Sequence, residues 1–287
     1  MIKEKIYSIG VDIGGTKMAA VLFDGKSVMA DYSLATPKDN VNNFLTMLFA
    51  LIEPLRERAK LDKAKIKGIG LGIAGTSNYR EGLILRSPNN PVLDGLKIIE
   101  RVKEKVEREW EVKIDNDANC FARAEARIGA GKKYKNVFGI TVGTGIGGGW
   151  FYNGDIYYGA RGSSREPGMI IIDFATGISL EEGFHKITQN NPGILAAEAY
   201  KGDPLAEKAY DEVAKILGTA FANIAILFEP DVIVVGGGVM DSSDLFIPKA
   251  KKIMKQYIKD PMAKEVPVVK AKLDKLAGAI GAAMLVS

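Results

Sequence analysis

One cysteine and one histidine in 287 residues leave little room for several kinds of chemistry. A single Cys makes no internal disulfide, which excludes a disulfide-stapled secreted scaffold. Together the two residues supply neither a Cys/His zinc site nor a zinc-protease helix. Ser-His-Asp or Cys-His catalysis stays open only with His185 as the base. No apolar run approaches the length of a membrane span. The first ten residues carry Glu4 and pass straight into a strand-like segment, so they do not read as a signal peptide. Charge of one sign is scarce as well. Lys and Arg total 39 against 35 Asp and Glu, a net charge of +4, which does not mark a nucleic-acid binder. A cytoplasmic protein with no nucleic-acid or membrane partner is expected.

Glycine is what the chain has in excess. There are 32, against an average usage of about 7%, which points to tight turns or backbone-lined sites. Apolar residues at 47% and charged residues at 26% are ordinary for a globular chain.

Apolar patterning predicts strands over residues 6–13, 18–23 and 27–35, the first two joined by Gly14-Gly15 and the last two by Asp24-Gly25. Helical spacing follows over 42–61, a buried strand over 66–73, an amphipathic helix over 96–110, a short strand over 112–114 and a helix over 118–128. The opening order then recurs. Residues 137–142 are apolar, Gly143-Thr144-Gly145 follows, then Trp150-Phe151-Tyr152 and Asn153-Gly154. A helix is expected to start near residue 180. Further on come a helix over 205–227, a strand over 232–235 ending in Gly236-Gly237-Gly238, a helix over 249–258, a strand over 266–273 and a small-residue helix over 276–285. The mix argues an α/β protein of two related halves.

Asp12-Ile13-Gly14-Gly15-Thr16-Lys17 lacks the spacing of a Walker A loop, and a strand rather than a helix follows it, unlike a dinucleotide fingerprint. It reads either as a plain hairpin turn or as a tip offering backbone N–H groups and the Thr16 hydroxyl to phosphate. The second turn, with Thr144 and Gly145, repeats that chemistry, so two tips could clamp a polyphosphate. Gly236, Gly237 and Gly238 suit a further close approach, to an adenine or ribose, or form an ordinary strand-to-helix turn. Asn116 or Asp117 before an Ala-rich helix reads as an N-cap.

The ordered set resembles the ROK family of actin-like sugar kinases. Residues 12–17 look like its first phosphate motif, with Asp12 facing Mg²⁺ through water. Asn116-Asp117-Ala118-Asn119 resembles its catalytic segment. Residues 141–149 are similar to its second phosphate motif, Gly236-Gly237-Gly238 to its adenosine motif, and residues 277–283 to its closing helix. The resemblance implies an α/β, two-lobed actin-like ATPase fold with a cleft between the lobes. One lobe would take residues 1–115 plus 275–287, the other 116–274. It implies ATP and Mg²⁺ as cofactors, a small-molecule sugar as substrate and a homodimer as the assembly.

The family roles carry over residue by residue. Asp117 becomes the base and Asn116 a sugar contact. Ser87-Pro88-Asn89 resembles the sugar loop, with Asn89 and Gly75 beside the sugar. Gly162-Ser163-Ser164-Arg165-Glu166-Pro167-Gly168-Met169 resembles the family's G-x-x-G-E-x-G-H, with Glu166 as a sugar ligand. Here Met169 replaces the His, which is also a metal ligand, and Arg165 replaces a Gly. Ser179 stands where the last Cys of a zinc loop would be. Glu181 matches the second sugar-binding Glu, with Glu182 open as a displacement by one. All zinc ligands are therefore missing together, and no zinc is expected. His185 reads as an ordinary polar residue, neither ligand nor base.

The activity expected is transfer of the γ-phosphoryl group to the primary 6-hydroxyl of a hexose or hexosamine. Glucose, mannose, glucosamine, N-acetylglucosamine, N-acetylmannosamine and fructose remain open, as do donors other than ATP. A non-catalytic sugar or nucleotide sensor is the alternative, and an acetate-type kinase ranks behind it. The family's repressors carry a DNA-binding module ahead of this core, and here the first strand opens the sequence.

Overall fold

The computed structural model describes residues 4–162, 164 and 166–287. Arg165, one of the departures from the family motif, lies outside the described residues, as does Ser163. In chain order the elements are β1 (Ile6–Ile13), β2 (Lys17–Phe23), β3 (Val28–Ala35), α1 (Val41–Leu61), β4 (Lys65–Ile73), β5 (Thr76–Asn78), β6 (Leu83–Arg86), α2 (Ile98–Lys103), β7 (Glu111–Asn116) and α3 (Asp117–Arg127). Then follow β8 (Val137–Val142), β9 (Ile146–Tyr152), β10 (Asp155–Ile156), β11 (Ile171–Asp173), β12 (Ile178–Ser179), α4 (Leu180–Thr188), α5 (Pro192–Tyr200), α6 (Pro204–Phe228), β13 (Val232–Gly236), α7 (Ile247–Tyr257), β14 (Val268–Lys270) and α8 (Ala277–Ala283).

Contacts divide the chain into two units. One comprises Met1–Ile128, Gly159–Ser163 and Lys275–Ser287, the other Gly129–Tyr158 and Ser164–Asp274. The division falls after α3 rather than after residue 115, because α3 packs on α8, β4 and β7 of the first unit.

The first unit is built on a sheet of order β3-β2-β1-β4-β7, the second on one of order β10-β9-β8-β13-β14. The orders correspond position by position: an antiparallel meander of three strands, then two strands parallel to the first. The repeat read from the turns is thus a repeat of topology.

In the first unit, α1 is capped by Asn40, whose side chain accepts the Asn43 N–H at 2.9 Å. Its apolar face, including Phe44, Leu48, Leu51 and Leu55, is fully buried with Ile9, Val11 and Leu71 of the sheet. Against the sheet lies α8, made of small residues for a steric reason. A Cβ on Gly10 of β1 would run into Ala279 O and Ala283 N, one on Gly70 of β4 into Ala282 O, and one on Gly281 into Cys120 O of α3. Backbones touch here, with no side chain to yield. Gly10→Val should therefore displace α8 and lower the melting temperature by at least about 5 °C, read by calorimetry, since overpacking costs about 1–3 kcal/mol or more.

In the second unit, α6 and α7 pack together, and Phe138, Phe184, Tyr210, Leu217, Phe221 and Phe246 share one core. Among the described residues no helix is long and apolar enough to cross a membrane.

Two expected elements are shorter than their patterns. The helix over 96–110 is helical only in α2. Beyond Val102 the next fully anchored apolar side chain is Trp110, whose N–H turns back to Glu107 O and whose ring sits under the Arg56 guanidinium. Helical propensity without a buried face does not hold a helix. The strand over 266–273 pairs only over β14, because Pro267 has no N–H to donate and β13 offers five residues.

Candidate active site

The first site forms where parallel strands end. Ile13 of β1 pairs with Ile73 of β4, and Ile73 with Asn116 of β7, so three chain exits align in register. They leave at Gly14, at Ala74-Gly75 and at Asp117. The carboxyl ends of parallel strands are where α/β proteins place ligands. The first exit turns at once: Gly14 N–H donates to Lys17 O (3.1 Å), and the Thr36 hydroxyl donates to Gly14 O (2.7 Å). That spends Gly14's own N–H, so the turn's groups for an anion are those of Gly15 and Thr16. Thr16 and Lys17 are exposed. Gly15 must be glycine because Asn89 packs on it: a Cβ there would sit 2.4 Å from Asn89 Cβ, too close to stand. The phosphate-type turn and the sugar-type loop are thus in contact.

Asn116 caps α3. Its Oδ1 accepts the N–H groups of Ala118 (2.9 Å) and Asn119 (3.2 Å), and its Nδ2 donates to Gly75 O (3.1 Å). Gly75 has φ +126° and backs onto Arg86 O, where no side chain fits. Asp117 is the first residue of α3, and its Oδ1 accepts the Ala118 N–H at 2.9 Å. The cap and the carboxylate at the head of the helix are therefore two different residues. Beneath them Asp115 is buried, accepting from Asn116 N (2.8 Å), Asn119 Nδ2 (2.7 Å) and Arg123 Nη2 (2.9 Å). This charged network fixes the α3 N-terminus from behind, because breaking a buried pair costs far more than forming it gains.

Burial raises the Asp117 pKa above the ordinary carboxylate value, only partly offset by the backbone N–H groups. Asp12 is half-buried, and desolvation first, then the charge of Asp117, push its pKa up to about 7. Two carboxylates that repel each other fit a hard divalent cation between ligand oxygens. Among the described residues no group of three or more His, Cys, Asp and Glu could hold a metal by itself. Mg²⁺ suits such a site, because it keeps waters and phosphate oxygens and takes few protein ligands.

The second site lies in the second unit. Gly143 N–H donates to Gly145 O (3.0 Å), the counterpart of the bond that closes the first turn. Gly237, at φ +94°, lies against Val142, and Gly238 N is close to Gly143, so the triple-glycine turn and the Thr144-Gly145 turn are neighbours. Glu181 Oε2 accepts the Ile146 N–H at 2.5 Å, and Gly145 and Gly168 both leave room for that oxygen. Glu166 is exposed at the head of a 3-10 turn, Pro167–Met169, that contains Gly168.

Glu181 and Glu182 are engaged differently. Ser179 caps α4 with a capping box: its Oγ accepts the Glu182 N–H (3.3 Å), and Glu182 Oε2 accepts the Ser179 N–H (2.9 Å). Glu182 is thereby engaged and Glu181 faces the glycines. The segment where the family carries its zinc loop is the β11–β12 hairpin, its turn held by Asp173, which accepts from Ala175 N and the Thr176 hydroxyl. Met169 is 75% exposed.

The structure thus brings together Asp12, Gly14, Gly15, Thr16, Gly75, Asn89, Asn116 and Asp117 in the first unit. In the second it joins Thr144, Gly145, Glu181, Gly236, Gly237 and Gly238, with Glu166 close along the chain. One residue read as ordinary is placed in this second group: His185 Nε2 lies 2.7 Å from Thr144 O. The signal available was its spacing of four from Glu181, which puts both on one face of a helix.

The ROK family profile matches residues 8–287. The chain is 30% identical to a glucokinase of Streptomyces coelicolor, over 97% of this chain and 96% of that one. It is 31% identical to an N-acetyl-D-glucosamine kinase of Mannheimia succiniciproducens, over 96% and 98%. The structure of a ROK family glucokinase from Streptomyces griseus in complex with glucose and AMPPNP superposes with a TM-score of 0.80 at 27% identity, covering 98% of this chain and 99% of that one. With two α/β units on the family's actin-like plan and its motifs in family order, the chain belongs to the ROK family of sugar kinases.

Proposed function

We propose that this sugar kinase transfers the γ-phosphoryl group of ATP to the 6-hydroxyl of a hexose or hexosamine, with Asp117 as the base. The observation that carries the reading is the Asp117 carboxylate itself. It stands at the aligned strand ends, one oxygen held by the Ala118 N–H, desolvated and beside a glycine turn. Held that way, its second oxygen takes the hydroxyl proton as the oxygen attacks phosphorus. Asn116 offers its remaining amide hydrogen to a sugar hydroxyl, with Gly75, Asn89, Glu166 and the second oxygen of Glu181 completing the sugar contacts. Gly15, Thr16 and Lys17 of the first glycine turn, which Gly14 closes, and Thr144 and Gly145 of the second are the phosphate contacts. Gly236, Gly237 and Gly238 admit the adenosine. Asp12 would hold Mg²⁺, whose charge would offset that of the phosphates. Phosphoryl transfer asks for little beyond this positioning and charge compensation.

The test is ADP release over glucose, mannose, glucosamine, N-acetylglucosamine, N-acetylmannosamine and fructose. Sugar-stimulated ADP with at least one of them is expected, and none from 6-deoxyglucose. Silence across the whole panel would leave the sensor reading instead. In the same reading the enzyme needs no zinc, because hydrogen bonds of Asp173 and Ser179 shape the segment that a metal would. Metal analysis of the purified protein should find zinc well below one per chain, and stoichiometric zinc would overturn that part. The enzyme is further read as a cytoplasmic homodimer, which light scattering on a sizing column checks.

A further inference from the structure

Helix α4 presents two polar side chains to one loop. Glu181 and His185 are one turn apart, and they grip the second glycine turn at two points. The Glu181 carboxylate accepts from Ile146 N–H and His185 Nε2 meets Thr144 O. A carbonyl oxygen only accepts, so Nε2 carries a hydrogen and donates it. The two bonds bracket Thr144 and Gly145. They use the carbonyl of the Thr144–Gly145 peptide and the N–H of the next peptide, and they spare the Thr144 hydroxyl and the Gly145 N–H, which points away from its own peptide's carbonyl. Those are the groups assigned to phosphate above. A turn with glycines at 143 and 145 has wide backbone freedom, and ordering it on binding would subtract from affinity.

We propose that His185 is a positioning residue for the nucleotide: with Glu181 it sets the second phosphate turn in its binding shape before ATP arrives. This rests on the kinase reading above. His185 touches neither substrate in this account, and its effect passes through the Thr144 carbonyl. The effect should therefore fall on the nucleotide and spare the sugar.

The experiment is titration calorimetry of AMPPNP with Mg²⁺ on the wild type, His185→Leu and His185→Gln, beside the KM for whichever panel sugar is turned over. Gln keeps an N–H donor at similar reach, and Leu removes it. Loss of one hydrogen bond and of the order it gives should weaken AMPPNP binding about 5- to 10-fold in His185→Leu. Sugar KM should stay within 2-fold and the melting temperature within about 2 °C, and His185→Gln should bind within 2-fold of the wild type. AMPPNP affinity unchanged in His185→Leu overturns the proposal while leaving the kinase reading standing. A sugar KM that rises as much as the nucleotide constant overturns it too, as does a large fall in melting temperature, since His185 would then be structural. A wild type that does not bind AMPPNP at all removes the kinase reading and the proposal together.

Discussion

Asp117→Asn should lower kcat by about 10³-fold while the protein still folds and binds ATP. The amide keeps an oxygen in the place where Oδ1 accepts the Ala118 N–H, so the start of α3 is preserved. The cap itself is untouched, because Asn116 provides it. What is lost is the group that accepts the hydroxyl proton. Stability should not fall either. Burial raises the Asp117 pKa, so its charge disfavours the fold at neutral pH, and a neutral amide removes that cost. The same shift sets the pH profile of the wild type. The base works only when ionised, so kcat/KM should decline as pH falls through a pKa above the ordinary carboxylate value. Activity in Asp117→Asn within 10-fold of the wild type would sink the assignment of the base.

Asp12→Asn should do two opposite things: lower activity with Mg²⁺ and ATP at least about 10²-fold, and raise the melting temperature of the free protein at pH 8. The sign follows from the folded pKa of about 7 against an ordinary 3.8. A carboxyl whose pKa rises on folding is harmless while both states are protonated, below about pH 4. Its destabilising charge develops as pH climbs between the two values and is fully present above about 7. The full shift corresponds to a few kcal/mol, or several degrees in melting temperature. Near pH 4 the two proteins should melt together, and at pH 8 the variant should be higher. Adding Mg²⁺ and ATP should narrow the gap, because the cation then offsets the charge of Asp12. A variant that melts lower than the wild type at pH 8 would mean that Asp12 stabilises the fold and is not a site held ready for a cation.

Much of this site is legible in the residues. The hairpins announce themselves by apolar runs broken at Gly14-Gly15 and at Gly143-Thr144-Gly145, and those breaks are local chemistry. The recurrence of strand, glycine turn, strand and Asx-Gly turn gives the repeat, and the two sheets have corresponding strand order. Asn116-Asp117 reads as a cap or as a base; the cap falls on Asn116, which leaves Asp117 for the proposed base. Where local pattern misled, the decisive contact was distant. Residues 104–110 have the composition of a helix, yet Trp110 is drawn to Arg56.

By itself the sequence determined the turns, the order of the motifs and the absence of Cys and His ligands, because these depend on residue type and on neighbours along the chain. Tertiary structure alone decided that Glu181 faces the glycines and that His185 reaches Thr144. Those choices rest on contacts across 35 and 41 residues of chain. A hydrogen bond forms there because packing delivers α4 to the turn, and neither partner carries a mark of the other in its own stretch of sequence.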